Sequence, residues 1–146
     1  MDHCGPLDES GLERLAALLA GQLCPGDRVL LFGDLGVGKS TFARALLRAL
    51  GVAGAIPSPT FVMDAEYRTK LGETHHIDLY RLQGTTDELE STGIAHILDS
   101  SATAVVEWAD RLPDPWREGE WIVRLSMTDS PLERMVFLGR GSLAGN

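Results

Sequence analysis

Lysine is scarce in this chain: Lys39 and Lys70 are the only two among 146 residues, set against 21 acidic side chains and a net charge of −8. No stretch gathers lysine and arginine together. Binding a duplex or a tRNA rests on a concentrated basic surface, so direct nucleic-acid binding by this chain is not expected, and a basic protein partner is easier to accommodate. Cysteine is equally sparse. Cys4 and Cys24 form no C-x-x-C pair, and no His/Cys group has zinc spacing; two reduced thiols in a cytoplasmic protein are expected. Long apolar runs are missing, so no bilayer span is expected, and the polar N-terminus does not read as a secretory leader. Internal repeats, charge blocks and low-complexity segments are absent as well.

What is present is a 44% hydrophobic composition spread along the chain. One domain over 1–146 is expected, burying about two-thirds of its unfolded surface, with 1–7 a loose or edge segment and 141–146 a tail. Its organising stretch is Gly33-Asp34-Leu35-Gly36-Val37-Gly38-Lys39-Ser40. This fits G-x-x-x-x-G-K-[ST], the phosphate-binding loop of nucleotide hydrolases and kinases. The glycines free backbone N–H groups to turn inward as an anion nest. Lys39 can reach the β- and γ-phosphates, and the Ser40 hydroxyl can ligate magnesium. Arg28–Phe32 reads as a buried strand entering the loop. Ser40–Leu50 reads as the helix leaving it, with its positive end toward the phosphates.

Around this core the order of elements is readable. Leu12, Leu15, Leu18, Leu19 and Leu23 mark an amphipathic helix, with Ser10 and Glu13 as a capping box. Phe61–Thr69 and Glu73–Tyr80 read as a hairpin turning at Lys70-Leu71-Gly72, which departs from plain βαβ alternation. Two short helices, Asp87–Thr92 and Ile94–Leu98, flank Gly93. Trp121–Met127 and Leu132–Gly139 read as a C-terminal hairpin.

Three further stretches carry chemistry. Ile56-Pro57-Ser58-Pro59-Thr60-Phe61 is stiff and extended, either a plain connection or a switch in which Thr60 senses the γ-phosphate and its magnesium. Asp78 lies between apolar Ile77 and Leu79, so it points away from them toward a polar site. Its neighbours His75 and His76 face opposite ways, which suits structural or hydrogen-bonding roles better than a shared metal. Ala102–Trp108 is an apolar strand ending in Glu107, as in a Walker B element, whose acid orients the magnesium shell or the attacking water. Trp108 either shields the site or belongs to the core. Arg134 is a candidate for contact with a base or phosphate.

The ordered set of Ser58-Pro59-Thr60-Phe61, Asp78-Leu79-Tyr80-Arg81-Leu82 and Glu107-Trp108 behind the phosphate loop resembles the bacterial TsaE (YjeE) family. The resemblance covers about Asp8 to Arg140. It implies an α/β fold, a single P-loop NTPase domain with a mixed parallel/antiparallel sheet flanked by helices. It implies ATP and Mg2+ as cofactors, and ATP hydrolysis that is weak alone and promoted by the partner proteins TsaD and TsaB. Those partners would transfer a threonylcarbamoyl group to adenosine in tRNA, which this chain would reach only indirectly. Carried over by motif, Gly33 through Thr41 hold the phosphates and Trp108 neighbours the site, while Arg134 is a nucleotide-binding candidate from its own position and otherwise a surface arginine. Lys39, Asp78 and Glu107 are the catalytic residues, and Ser40, Thr60, Asp78 and Glu107 surround the metal. Position 40 is Ser where many relatives carry Thr, and Val37 replaces a more usual Ala.

The expected chemistry is in-line attack of water on the γ-phosphorus, with Glu107 or Asp78 positioning the water. A small-molecule kinase would need an acceptor pocket, often beneath an arginine-rich lid, and arginine here is scattered. A GTPase would carry Asn-Lys-x-Asp, which is absent. A nucleotide-sensing adaptor with little turnover is the remaining alternative.

Overall fold

The computed structural model describes residues 5–34, 36–59, 63–113 and 116–142, with side chains described as far as Arg140. The elements in order are β1 (Gly5–Leu7), α1 (Glu9–Ala20), β2 (Arg28–Phe32), α2 (Lys39–Ala49), β3 (Asp64–Thr69), β4 (Gly72–Asp78), α3 (Thr86–Ser91), α4 (Ile94–Asp99), β5 (Thr103–Glu107), β6 (Glu118–Met127) and β7 (Arg134–Ser142). The strands form one seven-stranded sheet in the order β1-β7-β6-β2-β5-β4-β3. Its middle is parallel: β2 lies between β5 and β6, and β4 adds to β5. Antiparallel strands finish both sides, β3 on β4 at one edge and β7 then β1 at the other. This is the mixed sheet the resemblance implied.

Alternation along β2 explains the layering. Val29 and Leu31 join Val105, Val123 and the apolar faces of α1 and α2 in one cluster. Leu30 and Phe32 join Ala104, Val106, Ile122 and the α3–α4 pair in another. A strand buried on both faces reads as a continuous apolar run, which is why Arg28–Phe32 and Thr103–Glu107 show no polar alternation. Phe42, Leu46 and Leu47 of α2 are fully buried, each adding about 1.5–3 kcal/mol, so the helix that leaves the phosphate loop is firmly seated.

Several boundaries differ from expectation. Helix α1 is capped by Asp8, whose Oδ1 accepts from Gly11 N at 2.8 Å, and not by a Ser10–Glu13 box. The reason is tertiary. A Cβ on Gly11 would lie 3.1 Å from Leu7 Cβ, so the first turn is pressed against β1 and must start early. Gly5–Leu7 is a paired edge strand, aligned with Arg134–Val136, and β7 runs on to Ser142, into what was expected to be tail. The hairpin begins at Asp64; Phe61 and Val62 lie outside the described residues. Strand β4 stops at Asp78 because its Oδ1 accepts from Tyr80 N at 2.9 Å, folding the chain out of the ladder. The α3 capping box, Thr85 with Glu88, follows the pattern by which capping boxes are recognised. No helix among the described residues is long and apolar enough to cross a membrane.

Candidate functional site

The site forms where the parallel strands end. Ligands in open α/β sheets sit outside the carboxyl ends of the strands, and the register brings three strand ends level here. Leu31 of β2 pairs with Glu107 of β5, and Glu107 pairs with Asp78 of β4. Both acids therefore stand in one row beside the point where β2 runs into the loop. Side chains two apart share a face, so His76, Asp78, Val105 and Glu107 all point to the α2 side.

The loop backbone explains its own glycines. Gly33 has φ +149°, and a Cβ there would lie 2.6 Å from Val37 Cγ1 and 2.7 Å from Leu125 O. Gly38 caps α2 at φ +108° with no side-chain hydrogen bond to the first turn, which leaves the N–H groups at the helix start facing the cavity, a natural anion seat. Val37 is buried in the core, and its carbonyl accepts from Arg134 Nε at 3.0 Å. The β-branched residue thus pins the loop to the sheet.

A cavity of about 310 Å³ opens on this row, lined by Gly36, Gly38, Lys39, Ser40, Thr41, Asp78, Tyr80, Glu107 and Trp108. Lys39 is buried; its Nζ donates to Gly33 O, approaches Asp34 O at 3.4 Å, and lies 3.6 Å from the centre of the Trp108 ring. Burial pushes the Lys39 ammonium below its ordinary value, while the carboxylates of Asp110, Glu107, Asp78 and Asp34 pull it back up. Ser40 Oγ donates to Glu107 Oε1 at 2.7 Å, and the other oxygen, Oε2, lies 2.5 Å from His76 Nε2. Trp108 adopts left-handed backbone angles, φ 56° and ψ 42°. That uncommon conformation for a bulky residue turns its ring over Lys39. Tyr80 packs against the same ring at 5.2 Å between centroids, and the Arg111 guanidinium lies 5.2 Å from it.

Most of the residues singled out from sequence therefore meet at one cavity. Leu35 and Thr60 lie outside the described residues. Arg134 stands apart from the two acids, on a second hollow of about 400 Å³ that shares Gly38 and Thr41 with the first and continues past Val37 to Leu7, Ser10 and Leu12. Sequence reasoning did not assign Tyr80 and Arg111 to the site, and gave His76 only a hydrogen-bonding role. No local signal marks Arg111. Tyr80, two residues beyond Asp78, is found once Asp78 is recognised as the end of a strand. Ser40, Glu107 and Asp78 offer hard oxygen donors, the set suited to a small divalent cation.

Comparisons with known proteins point to one family. The profile of the family described as threonylcarbamoyl adenosine biosynthesis protein TsaE matches residues 7–136. The tRNA threonylcarbamoyladenosine biosynthesis protein TsaE of Streptomyces coelicolor is 43% identical over 102 residues, 68% of each chain. Its Bacillus subtilis counterpart is 37% identical over 95 residues, 65% of this chain and 58% of the relative. That of Haemophilus influenzae is 34% identical over 101 residues, 69% of this chain and 63% of the relative. The chain thus spans roughly three-fifths to two-thirds of these relatives' length. Among solved structures, Bacillus subtilis YdiB superposes with a TM-score of 0.68 over 97% of this chain and 88% of that one, at 24% identity, a likeness of fold.

Proposed function

This chain belongs to the TsaE family of threonylcarbamoyl adenosine biosynthesis proteins, and from that premise we propose that it is a magnesium-dependent ATPase serving threonylcarbamoyl transfer to adenosine in tRNA. The observation that carries the reading is the meeting of Lys39, the open start of α2, the Ser40–Glu107 pair at 2.7 Å and Asp78 around one cavity. Phosphates seat against the loop amides and Lys39, which neutralise charge as it develops on the transferred phosphoryl group. Ser40, Asp78 and Glu107, with Thr60 as the switch residue, hold the magnesium, which when bound offsets further phosphate charge. Glu107, already aimed at the cavity by two hydrogen bonds, orients the attacking water, and Asp78 shares that duty. Trp108 covers Lys39 and keeps bulk water from the phosphates. The hollow beyond Val37, with Arg134 on its rim, takes the nucleoside end of ATP, because it opens directly from the loop on the side away from the acids.

The setting is the cytoplasm, with homologues of TsaD and TsaB performing the transfer and tRNA reached through them. The acidic balance of −8 supports that division of labour. The test is Glu107→Gln in the assembly reconstituted with those partners. ATP hydrolysis falls by roughly a hundredfold or more, and tRNA modification stops after the first cycle. Modification that continues over many cycles without hydrolysis would show instead an adaptor that needs only bound ATP.

A further inference from the structure

We propose that His76 is a positioning residue for Glu107, holding one carboxylate oxygen so that the other is presented to Ser40 and the cavity. His76 has no exposed surface, and Glu107 is almost as deeply buried. The ring meets Glu107 Oε2 through Nε2 at 2.5 Å, and Oε1 meets Ser40 Oγ at 2.7 Å. The carboxylate is thus gripped from both ends, by a strand on one side and by the start of α2 on the other. Nothing in the chain's connectivity requires this. His76 is level with Val105 in the ladder, and its ring reaches diagonally to the next inward residue of β5.

Two features distinguish this from ordinary packing. The ring's other nitrogen, Nδ1, is buried with no hydrogen-bond partner among the described residues. A leucine or phenylalanine would fill the same space with no polar atom to desolvate, so packing alone does not call for histidine. The neighbouring His75 has both nitrogens satisfied, by Asp64 at 2.8 Å and Glu73 at 2.7 Å, as a purely structural histidine should. His76 retains an uncompensated nitrogen, and the hydrogen bond it makes is to the acid of the site. Without that bond Glu107 is free to turn about its last torsion toward the Lys39 ammonium. Positioning groups behind a functional ligand act in this way on metal and phosphate sites.

The proposal rests on the ATPase reading of the cavity, and its test separates the two. Steady-state hydrolysis of magnesium-ATP is measured on the full chain for wild type and for His76→Gln, His76→Asn and His76→Ala. A glutamine amide reaches the place of Nε2, whereas an asparagine amide stops near Nδ1. The expected result is near-wild-type hydrolysis for His76→Gln, and a loss of roughly 10- to 100-fold in kcat for Asn and Ala, with KM for magnesium-ATP little changed. In a Glu107→Gln background the same substitutions cost nothing further. In parallel, the Nε2 resonance of His76 shifts in Glu107→Gln while those of His75 stay in place, a readout that needs no turnover. Equal behaviour of Gln and Asn, additive losses in the double variants, or an unmoved resonance overturns the role of His76. A wild-type chain that binds no magnesium-ATP overturns the ATPase reading itself.

Discussion

Strand β4 carries two adjacent histidines into different worlds. Facing one way, His75 is clamped between Asp64 and Glu73, whose carboxylates reach the surface of the hairpin. Facing the other way, His76 lies in the dry interior, meets Glu107 as its one hydrogen-bond partner among the described residues, and leads to the cavity at the strand ends. Between Glu73 and Asp78 the strand passes from a solvated ion-pair cluster to a row of buried polar groups at the cavity. The lesson is one of placement. Charge near the rim is screened and contributes little, whereas charge at the strand ends is desolvated and strongly felt. Changes at the cavity end should therefore damage function out of proportion to stability, and changes at the hairpin end the reverse.

The sharpest way to break that contrast is Lys39→Ala. Magnesium-ATP binding, followed by calorimetric titration, is expected to weaken by a hundredfold or more, with a melting temperature at or above wild type, since a partly desolvated ammonium is removed. Unchanged binding would undo both the contrast and the nucleotide site. Gly33→Ala comes next. A Cβ 2.6 Å from Val37 and 2.7 Å from a backbone oxygen, at φ +149°, should cost about 2–3 kcal/mol, read by denaturant unfolding, and should empty the phosphate loop as well.

The smallest effect belongs to His75→Gln. Burial lowers the pKa of the wild-type imidazole, but the Glu73 and Asp64 hydrogen bonds outweigh it, so the net shift is upward from 6.5. The folded state then binds the proton more tightly than the unfolded one. The extra stability is fully present below the unfolded value and is lost as pH rises through the folded one. Melting curves of wild type and variant should differ most below pH 6.5 and draw together as pH rises above it, with a gap below about 1 kcal/mol because the carboxylates are partly exposed. ATP hydrolysis should be untouched; a loss of turnover there would erase the distinction between the two faces.

Much of the site was legible because its signals are local. The phosphate loop, its strand and its helix are contiguous, so spacing and glycine content suffice. Asp78 and Glu107 announce themselves as acids closing apolar strands. The contacts that unite them are not local. His76 and Glu107 are 31 residues apart, and only the pairing of β4 with β5 puts their side chains on one face. Arg134 illustrates the same limit. Its Nε donates to the Val37 carbonyl, a partner 97 residues away that spacing does not reveal. The Ser10–Glu13 cap failed because a local pattern competed with Leu7 pressing on Gly11.

Sequence alone determined that this chain has a loop of the G-x-x-x-x-G-K-S pattern, a mixed order of strands and helices, and two acids in apolar strands, since each of these is written in neighbouring residues through backbone preference and periodicity. Tertiary structure alone decided which acid faces Ser40, which of two adjacent histidines stands behind it, and how Trp108 comes to lie on Lys39. Those outcomes depend on strand register and on one left-handed turn, and register is settled by the packing of distant apolar faces rather than by any short stretch of chain.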